Sequence, residues 1–120
     1  MHPDTAATVE AAAAALDDKK GLGIVLLDVS SLLVITDVFV IATGTSRRHV
    51  LTLAEEVEEK LKKQDRRPLR REGLDDATWV LLDYGDLVVH LFDDATRRFY
   101  DLERLWGDAP RTHWEAAAEV

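Results

Sequence analysis

The chain is expected to fold as one α/β domain, a mixed β-sheet with flanking helices. Three observations predict this. Residues 24–31 ("IVLLDVSS") and 38–44 ("VFVIATG") are apolar runs without clean alternation, the mark of strands covered on both faces. From Arg47 to Gln64 the apolar period changes to three and four residues, that of an amphipathic helix. Residues 79–92 ("WVLLDYGDLVVHLF") then hold two apolar runs flanking Tyr84-Gly85, which reads as a hairpin. The predicted order is α-β-β-α-β-β-β-α.

Each element has its own local reason. "TAATVEAAAAALDDKK" (5–20) is Ala-rich and predicts a first helix, with Thr5 or Asp4 as N-cap and Gly21 as its stop. The strand at 24–31 is closed by small polar residues, and "LLVITD" extends either it or the strand at 38–44, which ends at Gly44. In the second helix, Val50, Leu53, Ala54, Val57 and Leu61 form the apolar stripe, charged residues cover the rest, and Ser46 is its N-cap. Pro68 breaks the chain, and "LRRE" is a short edge strand. After the hairpin, "DDATRRFYDLERLW" reads as one helix capped by Asp93 or Asp94, and "GDAPRTHWEAAAEV" as a tail, weakly helical after Thr112.

Composition narrows the function. The 120 residues suit one domain with one real core. There are no cysteines, so disulfides and thiolate metal sites are excluded. No apolar run has the length of a membrane span, and the acidic N-terminus lacks the pattern of a secretory signal, so a cytoplasmic protein is expected. The net charge of −8 is opposed to a phosphate backbone and matched to a basic partner.

A two-residue turn at Tyr84-Gly85 sets Asp83 opposite Asp86, Leu81 opposite Val88 and Trp79 opposite His90. One face then carries Val80, Leu82, Leu87, Val89 and Leu91. The other carries Trp79, Leu81, Asp83, Asp86, Val88, His90 and Phe92. This second face is either an ordinary sheet face half covered by a loop or helix, or a partner surface anchored by Trp79.

Other motifs are weaker. "TGTSRRH" (43–49) places Arg47 and Arg48 in a first helical turn, against the helix dipole; they either contact an anion or point to solvent. Gly44-Thr45-Ser46 resembles the start of a nucleophile elbow, but Arg48 stands where the closing Gly belongs. Gly21-Leu22-Gly23 precedes a strand and lacks the third Gly of a dinucleotide fingerprint. The four histidines show no metal-ligand spacing, and turn and edge roles account for Asp83 and Asp86. No catalysis, cofactor or metal is expected.

Taken together, "TDVFVIATGTSRRHVLTLAEEVEEKL" (36–61) and "EGLDDATWVLLDYGDLVVHLFDDATRRFYDLERLW" (72–106) resemble the ribosomal silencing factor family, also called the Iojap family. The likeness covers about residues 5–107, leaving 108–120 as a C-terminal tail without a family motif. It implies a nucleotidyltransferase-like fold and a homodimer. It also implies binding to the large ribosomal subunit through large-subunit ribosomal protein fourteen, which sterically blocks joining of the small subunit and represses translation, notably in starvation or stationary phase. A role in large-subunit assembly is a further implication, and a metal-dependent nucleotidyltransferase is the enzymatic rival. In that fold, metal-binding carboxylates follow the Gly-Ser motif by about ten residues on a strand; here the offset falls at Glu55–Glu59, inside the predicted helix. The resemblance assigns partner contact to Trp79 and Tyr100. The mixed hairpin face adds Leu81, Asp83 and His90, and Glu103 completes the expected set. No sequence-specific nucleic-acid contact and no membrane contact are expected.

Overall fold

Every residue of β2 (Val38–Gly44) is buried, and the other elements are arranged around this strand. A computed structural model describes residues 2–115. Its other strands are β1 (Leu22–Asp28), β3 (Arg70–Glu72), β4 (Trp79–Asp83), β5 (Leu87–Asp93) and β6 (Arg111–His113); its helices are α1 (Pro3–Asp18), α2 (Arg47–Lys62), α3 (Asp94–Tyr100) and α4 (Leu102–Leu105). The six strands form one sheet in the order β3-β4-β5-β2-β1-β6. Only β2 and β5 pair in parallel, so the sheet is mixed.

Both faces of this sheet are covered, as its missing alternation implies. On one face Val38, Val40, Ala42, Val80, Leu82, Val89 and Leu91 meet α1 and α2. The apolar stripe of α2 is buried as its period predicts, through Val50, Leu53, Ala54, Val57 and Leu61. The other helix, α1, contributes Leu16 together with Ala12, Ala13 and Ala15, whose small side chains permit close packing. The second face is thinner: Val25, Leu27, Phe39, Ile41, Val88 and Phe92 pack against Leu102 and Ala109. Among the described residues no helix is long and apolar enough to cross a membrane.

Several local expectations are corrected. The N-cap of α1 is His2, whose Nδ1 accepts from Asp4 N, with Pro3 opening the helix. Its stop is Lys20 in the left-handed region (φ 65°), with Lys20 N donating to Asp17 O and Gly21 N to Leu16 O. Gly21 follows that turn instead of making it. "LLVITD" joins neither strand: Asp28 Oδ1 accepts from Ser30 N and Oγ, which ends β1, and Val29 N donates to Asp37 O across the loop. The helix expected after Phe92 is broken at Asp101 (φ 47°), which closes α3 and redirects α4 so that Leu102 enters the core. The stretch expected to be a tail supplies β6, which pairs with β1 and satisfies its outer edge; His113 lies in this strand, and the rest of the weak helix expected after Thr112 falls mainly on residues 116–120, outside the described residues. Ser46 and Asp93 are N-caps as expected, accepting from His49 N and Thr96 N.

The hairpin register is also corrected. Tyr84 N donates to Leu87 O, so the two turn residues are Gly85 and Asp86. Trp79 therefore pairs with Phe92, Leu81 with His90 and Asp83 with Val88. The reason is Gly85 at φ 89°: a tight hairpin turn places positive φ at its first central position, which glycine takes without penalty and Tyr84 would not. The shift is by an even step, so the side chains of both strands keep the faces assigned to them. Asp86 alone leaves the Trp79 face. It sits in the turn, where its carboxylate accepts from Arg66 Nη2 at 2.6 Å and Thr5 Oγ1 at 2.7 Å.

Candidate functional site

Alternation along β4 brings Trp79, Leu81 and Asp83 onto the thinner face, each half-buried. On β5 the same face carries Val88, His90 and Phe92, all buried. Leu102 and Trp106 pack into the core of this face, Trp106 against Phe39 of β2, while the β4 residues stay only half-buried at its margin. One side of the face is therefore core and the other side is surface.

An aromatic series runs from that core to solvent. Trp106 meets Phe39 edge to face at 5.7 Å between ring centroids, and Phe39 meets His90 at 4.8 Å. Trp79 lies 6.0 Å from His90, 5.0 Å from Phe92 and 4.7 Å from Tyr100. Phe99 meets Tyr100 at 5.1 Å. Tyr100 is 50% exposed and Phe99 80%. Trp79 is thus held from below by two rings and continued outward by a third.

His90 is the polar member of this series and is only 5% exposed. Trp79 Nε1–H donates to its Nδ1 at 3.1 Å. An indole nitrogen only donates, so the neutral imidazole carries its proton on Nε2. That Nε2 is buried and has no hydrogen-bond partner among the described residues. Burial pushes the His90 pKa down to about 4, only partly offset by the charge of Asp83, and the ring is neutral at pH 7.

The remaining candidates divide. Asp83 caps the hairpin turn, accepting from Gly85 N at 2.8 Å, and lies 3.5 Å from Arg70 Nη2. Glu103 does not join the Trp79 series. It pairs with Arg97 at 3.4 Å, and Arg97 in turn donates to Thr43 Oγ1 at 2.8 Å. These residues line an open cavity of about 700 Å³ at the C-terminal end of β2, beside Gly44. Arg47 and Arg48 are exposed at the start of α2, and the Arg47 guanidinium donates to the carbonyl of Asp75. Glu55–Glu59 lie on α2, as expected from the period. Among the described residues, no three His, Asp or Glu side chains are grouped to hold a metal ion. Phe99 and Leu105, both exposed, enlarge the apolar surface beside Tyr100. The sequence signal was present in "FYDLERLW", but an unbroken helix gave no reason to expose them.

The chain as a whole is similar to known proteins. The family model described as ribosomal silencing factor during starvation matches residues 2–120. The chain is 42% identical over 99 residues to a ribosomal silencing factor RsfS of Bacillus subtilis, covering 82% of this chain and 84% of that one. A crystal structure of a protein from Chromobacterium violaceum superposes with a TM-score of 0.84 at 38% identity, covering 99% of this chain and 98% of that one. A more distant similarity, 38% over 74 residues, is to the mouse protein named mitochondrial assembly of ribosomal large subunit protein 1; it covers 59% of this chain and 32% of the mouse protein.

Proposed function

The chain belongs to the ribosomal silencing factor family, and from that premise we propose that it binds the large ribosomal subunit and represses translation in the cytoplasm by keeping the small subunit away. The docking contact is large-subunit ribosomal protein fourteen, and the working form is a homodimer. The observation that carries this reading is the contact of the half-buried Trp79 ring with Tyr100, which is 50% exposed, at the margin of the sheet. Partly buried aromatics on a rigid strand make good anchors, because little side-chain entropy is lost on binding. The net charge of −8 suits a basic ribosomal protein and disfavours indiscriminate capture by RNA.

The mechanism is occupancy. It needs no bond to be made or broken, and the two carboxylates nearest the turn support this. Asp83 is engaged with Arg70 and the Gly85 amide, while Asp86 is engaged with Arg66 and Thr5, so the pair do not converge on a common point. Sedimentation of purified subunits mixed with saturating protein tests the reading. Separate subunit peaks are expected, and undiminished joining would overturn it. Sedimentation equilibrium of the protein alone tests the dimer.

A second reading is participation in large-subunit assembly. It is favoured by the mouse relative, whose name states that activity. Accumulation of immature large subunits in cells lacking the protein, under growth conditions where silencing is idle, is the outcome expected of this role.

A further inference from the structure

His90 is an expensive residue in its position. Its ring is desolvated among Phe39, Trp79 and Phe92, and its Nε2–H finds no acceptor among the described residues. An aliphatic residue would fill a β5 position facing this cluster without burying a ring N–H of its own. What imidazole supplies and an aliphatic does not is an acceptor for the Trp79 indole N–H. The paired strands place it there: Leu81 is the direct cross-strand partner of His90, and Trp79 is the diagonal neighbour, within reach of a long side chain.

We propose that His90 is a positioning residue for the docking surface: as the Nε2–H tautomer it accepts the Trp79 indole N–H, fixes the orientation of that ring and holds the Trp79–Tyr100 pair in its binding arrangement before any partner arrives. This inference rests on the docking role of Trp79 proposed above and adds a buried residue that never touches the partner. The geometry explains how a half-buried indole is restrained. Phe92 and Tyr100 flank the ring, and neither contact specifies where its N–H points. The hydrogen bond to Nδ1 removes that freedom. A ring ordered in advance loses less entropy on binding than one ordered by the partner.

Two measurements test the inference. In the unmodified protein, the ring ¹⁵N shifts of His90 are expected to show a bare Nδ1 and a protonated Nε2; a protonated Nδ1 would overturn it. Affinity for purified large subunits is then compared for His90→Leu, His90→Asn and Trp79→Ala. Leucine removes the acceptor, whereas the Asn side-chain oxygen restores one near the Nδ1 position. His90→Leu is expected to bind about tenfold more weakly, and His90→Asn within about twofold of the parent. Leucine binding as the parent does, or asparagine binding as weakly as leucine, would overturn the positioning role while Trp79→Ala still lost affinity. Unchanged binding by Trp79→Ala would instead sink the docking surface itself, and the positioning role with it. If His90→Leu does not fold, the ¹⁵N shifts and the asparagine variant decide the matter.

Discussion

The rings of Trp79 on β4 and Tyr100 at the end of α3 lie 4.7 Å apart, tilted at 48° to one another. The contact joins a sheet margin to a helix terminus, and it brings together the two residues that the family resemblance singles out. Each ring should therefore depend on the other. Replacing either with Ala is expected to cost about 2 kcal/mol of binding to the large subunit. The double variant should fall short of the sum by about 1 kcal/mol. Titration calorimetry of the four proteins checks this, and strict additivity would show that the rings act independently.

Acid should destabilise the fold in two separate windows. His90 has a folded pKa lowered from 6.5 to about 4, so the unfolded chain binds its proton first. Its contribution is present above about pH 6.5, falls as the pH drops toward 4, and amounts to about 3 kcal/mol. Asp86 behaves differently. Partial burial raises its pKa, but the hydrogen bonds from Arg66 and Thr5, together with the guanidinium charge, outweigh burial and hold it below the usual carboxylate value. Its contribution is present above that ordinary value and is lost below it, as the pH falls through the lowered folded pKa. Urea denaturation across pH should show His90→Leu flattening the upper window and Asp86→Asn the lower one.

Gly73 carries the approach to β4. Its φ is 83°, and a Cβ placed on it would lie 1.9 Å from the carbonyl oxygen of Trp79. That overlap is with backbone, so no side-chain adjustment relieves it. Gly73→Ala is expected to destabilise by about 3 kcal/mol or more. Thermal melting should fall by about 10 °C or more.

Tyr84 offers the opposite case. Its hydroxyl is buried without a partner among the described residues, and burial raises its pKa to about 12. Removing an unpaired polar group recovers its desolvation cost. Tyr84→Phe is expected to leave stability unchanged or raise it by about 1 kcal/mol. A clear loss on chemical denaturation would mean that the hydroxyl has a partner, such as bound water.

Much of the architecture is legible along the chain. The strand at residues 38–44 and the start of α2 at Arg47 follow from period and capping, both short-range properties. The alternation that separates Trp79, Leu81 and His90 from Val80, Leu82 and Val89 also survives, because an even shift of register keeps every face. The register is not legible locally, because the turn falls at Gly85-Asp86 and Tyr84 is the last paired residue before it. Glu103 is expected on the docking face together with the hairpin residues, yet it does not join the Trp79 series. The break at Asp101 and the pairing with Arg97 take it elsewhere.

By itself the sequence determined the element types, the buried stripe of α2, the two-sided burial of β2 and the family. Each of these depends on residues close together in the chain. Only the tertiary structure decided that the thinner face is half core and half open, that Trp79 meets Tyr100, and that His90 is sealed beneath them. Those outcomes depend on where Asp101 turns the chain and on what then packs over each strand. That is a competition among distant residues, and no local period records its result.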